Sequence, residues 1–212
     1  MTQPRVPSDL YVITAAVRGR RHREVAEAAL AGGASMIQLR DKEMTTRDLL
    51  AEAAAVLAIC RRHQAPLIIN DRVDIALVVG AEGVHVGDDD MPVAHARRLL
   101  GPDAIIGASA DSVEAARAAG RDGADYLGVG PMFATETKPD AGVAVGPQRL
   151  AEIRGSVDIA VFGIGGITAD NAAQVMAAGA HGVAVIAAIA EADDMVEATR
   201  RIAAIVSRGK PA

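Results

Sequence analysis

One alternation runs the length of this 212-residue chain and limits its fold more than any other feature. A short β-branched or aliphatic run ends in Gly or polar residues, and an Ala-rich stretch with helical spacing follows. The apolar runs are Leu10–Thr14, Met36–Arg40, Pro66–Asn70, Gly83–Gly87, Ala104–Ser109, Asp125–Gly130, Ile159–Gly166 and Gly182–Ile189, eight in all. Between them Arg47–Arg62, Ser112–Ala119, Asp170–Ala178 and Asp194–Ser207 read as helices. Capping residues precede several of these: Thr45 or Thr46, Asp111 or Ser112, Thr168 or Asp170. Gly32, Gly120 and Gly179 are placed to end others.

Strand–helix alternation demands a parallel sheet with right-handed crossovers. Eight units of about 25 residues suit a closed (β/α)8 TIM barrel, and the rival is an open doubly wound sheet. Small residues recur along the later strands, as a crowded barrel interior requires. Polar residues end most strands rather than one pair at a switch point. Both features favour closure. No composition break divides the chain, so residues 1–212 are expected to form a single (β/α)8 barrel domain. Only 2% of residues are aromatic, so Val, Ile, Leu and Ala must build most of the core.

The net charge of -5 gives no reason to expect a nucleic-acid or membrane surface. No apolar run reaches the roughly 20 residues of a membrane span. Cys60 is the only cysteine, which fits a reducing compartment, and a cytoplasmic location is expected. A homo-oligomer paired through outer helices is compatible with such a barrel.

Barrel enzymes place chemistry at the C-terminal ends of their strands. The second strand ends Gln38-Leu39-Arg40-Asp41-Lys42. Alternation puts Gln38, Arg40 and Lys42 on one face and Leu39 and Asp41 on the other. If the first face is inward, an amide and two cations reach the mouth, a suitable grip for phosphate. The alternative is a solvated strand end with a local Arg–Asp pair. The third strand ends Asn70-Asp71-Arg72, and the fourth runs past His85 to Asp88-Asp89-Asp90. Two carboxylates from adjacent strands suit Mg²⁺. The triple Asp also suits the first turn of a helix, before Met91-Pro92. His85 is either a structural core residue or, beside the mouth, a substrate contact.

A long segment follows the sixth strand, from Gly130-Pro131-Met132-Phe133 through Thr135, Thr137 and Lys138 to Gly146. Two hydroxyls and a lysine there could bind phosphate and close over it. Gly165-Gly166 ends the seventh strand and Ile186-Ala187 lies near the end of the eighth, where many barrels hold phosphate on backbone N–H groups.

Taken in order, Gln38-Leu39-Arg40-Asp41-Lys42, Asn70-Asp71, His85-Val86-Gly87, Gly130-Pro131-Met132-Phe133 with Thr135, Thr137 and Lys138, and Ile164-Gly165-Gly166-Ile167 resemble the thiamine-phosphate synthase family. The resemblance implies a barrel joining a hydroxymethylpyrimidine diphosphate to a thiazole phosphate. It implies that Arg40, Lys42, Asn70 and Lys138 hold the diphosphate with Ser109 nearby, and that Asp71 and Asp90 hold Mg²⁺. Gln38 and His85 would face the pyrimidine; Thr135, Thr137, Gly165, Gly166 and the Ile186-Ala187 backbone would take the thiazole phosphate. The chain departs from the family where Asp88 replaces a usual Gln and Ala187 a frequent Ser. Such residue types suit a dissociative displacement in which diphosphate leaves before the thiazole nitrogen attacks, with no protein nucleophile. Two rivals stand beside this reading: a related thiazole tautomerase or regulatory protein that would not need the diphosphate and metal residues, and another phosphate-binding barrel with an acid–base pair.

Overall fold

The computed structural model describes residues 6–7, 9–135 and 144–209. Eight parallel strands close on themselves in chain order, each hydrogen-bonded to the next and the eighth to the first. The strands are β1 (Leu10–Thr14), β2 (Met36–Leu39), β3 (Leu67–Asn70), β4 (Gly83–Val86), β5 (Ile105–Ser109), β6 (Tyr126–Val129), β7 (Ala160–Ile164) and β8 (Gly182–Val185). The outer ring is α1 (His22–Ala31), α2 (Thr46–Arg62), α3 (Val73–Val79), α4 (Val93–Leu100), α5 (Val113–Arg121), α6 (Gly146–Arg154) and α7 (Ala172–Ala177). After β8 come a single turn, α8 (Ala187–Ala190), and the long α9 (Met195–Arg208). The closed barrel settles the choice against an open sheet.

Local chemistry explains the helix boundaries. Thr45 caps α2 by accepting from the Asp48 N–H at 3.2 Å, Ser112 caps α5 through the Ala115 N–H at 3.3 Å, and Asp194 caps α9 through the Glu197 N–H at 2.9 Å. In α2, Leu49, Ala53, Val56, Leu57 and Cys60 recur at helical spacing and are buried against the barrel. Each Leu or Val sealed there contributes roughly 1.5–3 kcal/mol, so Val56→Asp would remove that gain and bury a charge.

Three expectations shift in the structure. The run Gly182–Ile189 is not one strand: β8 stops at Val185, and the chain turns at Ile186 into α8. Gly120 lies inside α5; the chain leaves that helix at Gly123, where φ is +97° and Ala124 N–H bonds the Ala119 carbonyl. Neither Thr168 nor Asp170 is the cap of α7, because Asn171 precedes the first helical residue and its Oδ1 accepts from the Thr168 N–H.

Strand alternation separates two cores. Outward residues such as Leu10, Val12, Ile37, Leu39, Ile69 and Val84 pack beneath the helices. Inward residues Tyr11, Ile13, Met36, Ile68, Ile105, Tyr126, Phe162 and Ala184 fill the barrel. Of only four aromatic side chains in the sequence, Tyr11, Tyr126 and Phe162 meet here edge to face, their ring centroids 5.6–5.8 Å apart. Gly107 makes room for them, since a Cβ at that position would lie 2.1 Å from Tyr126 Cζ. This aromatic plug is the floor on which the site stands.

Candidate active site

A cavity of about 450 Å³ opens above the plug at the C-terminal ends of the strands. Pairing registers align its walls: Ile13 with Gln38, Asn70 with His85, and Ser109 with Gly128. The inward phase of β2 carries Gln38, Arg40 and Lys42 to the cavity, while Leu39 goes to the outer core. Asn70 and Asp71 enter from β3, His85, Asp88 and Asp90 from β4 and its loop, and Ser109 from β5. Thr135, Gly165, Gly166, Ile186 and Ala187 line the opposite side. Thr137 and Lys138 lie outside the described residues.

The alternative of a local pair between Arg40 and Asp41 is not what forms. Asp41 points away from the cavity, and its partners are the His22 ring at 3.0 Å and the N–H groups of Glu43 and Met44. Burial pushes the Asp41 carboxyl up, but those hydrogen bonds outweigh it and hold the group below the ordinary range.

The acidic corner is under electrostatic tension. Asp71 takes a left-handed backbone, φ +59°, and its N–H bonds the His85 carbonyl at 2.8 Å. Burial, then the hydrogen bond and charge of neighbouring Asp90, lift its carboxyl to about 6 against the opposing pull of Lys42 and Arg40. Lys42 Nζ stands 3.7 Å from Asp71 Oδ2. Asp90 Oδ2 accepts from the Gly87 N–H at 2.8 Å, which turns its carboxyl back toward the barrel. Asp90 therefore belongs to the loop before α4 rather than to the helix's first turn, since α4 begins at Val93. Two neighbouring carboxylates are a donor pair that suits a divalent cation. No group of three or more His, Cys, Asp or Glu side chains suited to a metal occurs among the described residues. An ion here would need its remaining oxygen ligands from substrate and water.

From the strands on either side of this corner, a hydrogen-bonded chain crosses the barrel. Gln38 Nε2 donates to the Tyr11 hydroxyl, which lies 2.8 Å from the Tyr126 hydroxyl. Tyr126 in turn meets His85 Nδ1 at 3.1 Å, and His85 Nε2 meets Ser109 Oγ at 3.2 Å. Each hydroxyl of this chain can both donate and accept, and the His85 tautomer decides which of Tyr126 and Ser109 donates to the ring. Burial, the largest influence on both, raises the Tyr11 and Tyr126 phenols well above their ordinary value, so both hydroxyls keep their protons. His85 is thus both packed and turned to the cavity, as its inward phase between Gly83 and Gly87 allows. Motif reasoning misses the two tyrosines, although the rarity of aromatics and their inward strand phase are signals that point to them.

At the far rim Gly165 and Gly166 have φ of +91° and +65°. A Cβ on Gly166 would meet the Ala134 and Phe133 carbonyl oxygens at 2.7 and 2.8 Å. Only glycine allows the loop after β6 to lie this close to the β7 turn. Cys60 is remote from the mouth and buried; burial, then Glu82, pushes its thiol up to about 12, which leaves it chemically inert.

Fold and site together define a (β/α)8 barrel with cations and acids on one side of its mouth and a glycine-rich turn on the other. Residues 10–189 match the family model described as thiamine monophosphate synthase, and the chain belongs to that family. It is 54% identical over 200 residues to a thiamine-phosphate synthase of Chloroflexus aurantiacus, covering 93% of this chain and 92% of that protein. It is 50% identical over 204 residues to a thiamine-phosphate synthase of Moorella thermoacetica, covering 95% and 97%. A solved thiamine phosphate pyrophosphorylase from Pyrococcus furiosus superposes with a TM-score of 0.90 at 41% identity, over 97% of this chain and 98% of that one.

Proposed function

We propose that this barrel is a transferase that couples a hydroxymethylpyrimidine diphosphate to a thiazole phosphate, releasing diphosphate and forming thiamine phosphate. Membership of the family and the names of its close relatives support the activity. The observation that carries the assignment within the molecule is the meeting of Arg40, Lys42, Asn70, Asp71 and Asp90 on one wall of the cavity that Gly165, Gly166, Ile186 and Ala187 close on the other. A thiazole tautomerase would need the second wall and not the first.

In this reading Arg40 grips the diphosphate with its planar fork, Lys42 and Lys138 supply point charges, and Asn70 and Ser109 donate hydrogen bonds. Asp71 and Asp90 would hold Mg²⁺, which when bound neutralises charge on the leaving diphosphate. Gln38 and His85 orient the pyrimidine above the aromatic floor. Thr135, Thr137 and the backbone at Gly165, Gly166 and Ile186-Ala187 hold the thiazole phosphate. Asp88 adds charge beside the acidic corner, and Ala187 leaves that rim to backbone donors.

The bond from the pyrimidine methylene to the diphosphate oxygen breaks first, and its electron pair leaves with the diphosphate. Arg40, Lys42 and Lys138 stabilise the negative charge that accumulates there. The thiazole nitrogen then shares its lone pair with the methylene carbon. No side chain acts as nucleophile, consistent with the inert Cys60. The charges balance: roughly three negative on the diphosphate and two on the aspartates face two positive on the metal and three on Arg40, Lys42 and Lys138.

No helix among the described residues is long and apolar enough to cross a membrane. A cytoplasmic setting fits the single buried thiol. The test is direct: the purified protein is given both substrates with Mg²⁺, and thiamine phosphate and diphosphate are quantified. Both should appear in equal amounts and stop with EDTA; conversion of a thiazole phosphate isomer without coupling would favour the tautomerase.

A further inference from the structure

We propose that the segment leaving β1, residues 15–22, is a positioning brace that sets the spacing between the two phosphate-holding rims, with His22 acting through Asp41 and Arg20 acting through α8. The inference rests on the assignment of the two rims given above. Because β1 is hydrogen-bonded to both β2 and β8, the chain that leaves it at the mouth passes between the two strand ends concerned.

On the β2 side, His22 is 1% exposed, with Nδ1 2.8 Å from Thr14 Oγ1 and Nε2 3.0 Å from Asp41 Oδ2. The other Asp41 oxygen accepts from the Glu43 and Met44 N–H groups at 2.8 and 2.7 Å. One carboxylate therefore ties α1 to the turn after β2. Asp41 stands between Arg40 and Lys42 in the chain and faces the opposite way, so wherever its backbone is held, theirs is held too.

On the β8 side, Arg20 Nη1 donates to the Ala190 and Ala192 carbonyls at 2.8 and 2.6 Å. Arg18 donates to the Glu191 carbonyl and pairs with Asp193 at 3.1 Å, but it is more than half exposed and adds less. α8 has four residues, too few to hold a helical turn unaided. Its terminal carbonyls need outside donors, and Arg20 supplies them. The turn that α8 continues begins at Ile186 and Ala187, on the cavity wall. Arg18, Arg20, His22 and Asp41 do not line the cavity, so their effect on binding is exerted through the groups they hold.

The test is the KM for each substrate, measured separately on the full chain. His22→Leu is expected to raise the KM for the pyrimidine diphosphate about tenfold and to leave that for the thiazole phosphate within about twofold; Arg20→Ala should do the reverse. In His22→Gln the amide nitrogen reaches the place of Nε2 and can donate to Asp41, so that KM should return to within about threefold of wild type. A merely structural role would lower thermal stability and the active fraction without separating the two KM values. Both values rising together, or neither rising, overturns the brace. If His22→Leu fails to fold, Arg20→Ala, whose side chain is partly exposed, decides by the same criterion. Wild-type protein that makes no coupled product overturns the functional reading, and the brace with it.

Discussion

Lys42, just past β2, and Asp71, just past β3, face each other across 3.7 Å, and this weak ion pair, helped by the charge of Arg40, does not offset burial and the crowding of Asp71 by Asp90. The corner is assembled at a cost to the protein alone, because burial and a like charge oppose ionisation of Asp71.

That cost has a sign. A carboxyl raised from its ordinary value to about 6 binds more protons folded than unfolded, so the stability it contributes is full below about pH 4 and is lost as pH rises through 6. Asp71→Asn removes the loss, and Asn also tolerates the left-handed backbone at this position. The metal-free variant should therefore be more stable than wild type at pH 7 by about 1 kcal/mol, or roughly 3 °C in Tm, after allowing for partial exposure. The gain should shrink between pH 6 and 4. Thermal melts in EDTA across that range read it; a variant less stable than wild type at pH 7 contradicts the electrostatic account.

The same proton competes with Mg²⁺. Below about pH 6 the affinity of the wild-type protein for the ion should fall by about tenfold per pH unit, because a protonated Asp71 is no ligand. Titration calorimetry, or the Mg²⁺-induced rise in Tm, follows this without any turnover. Asp71→Asn should show little Mg²⁺-induced rise at any pH.

The cations are expected to act on the departing diphosphate. Arg40→Ala, Lys138→Ala and Asp71→Ala should each lower kcat by two or more orders of magnitude, in line with about 3 kcal/mol for a donor to a developing anion. Arg40→Lys should recover only part, since an ammonium cannot reproduce the two-pronged contact. Near-normal turnover in all three alanine variants refutes the assignment of this wall.

The relay makes a separate prediction. Tyr126→Phe deletes the hydroxyl that joins Tyr11 to His85, so the buried Tyr11 hydroxyl and the half-buried His85 ring each lose one hydrogen bond. Unfolding stability should drop by about 1–3 kcal/mol, seen in urea titration. The KM for the pyrimidine diphosphate should rise several-fold more than that for the thiazole phosphate, because Gln38 and His85 lose their fixed orientation.

Much of the barrel is legible in the order of its residues. The eight apolar runs and their helical partners are local patterns, and each local pattern names its element. Strand alternation likewise puts Gln38, Arg40 and Lys42 on one face, which the barrel turns inward. Where a boundary depends on one residue's surroundings, the pattern misleads: Ile186 carries a strand-like side chain, yet the chain bends there into α8, whose end is held by Arg20.

Neighbouring residues alone dictate a parallel, helix-covered sheet and a set of polar strand ends, because side-chain period and capping are local properties of the chain. Folding in three dimensions was needed to settle that Asp41 answers to His22 and not to Arg40, that three scarce aromatics share one floor, and that Asp90 presses on Asp71. Those pairings join residues on different strands and helices, and the energy of a buried charge or ring depends on what closure of the barrel places beside it.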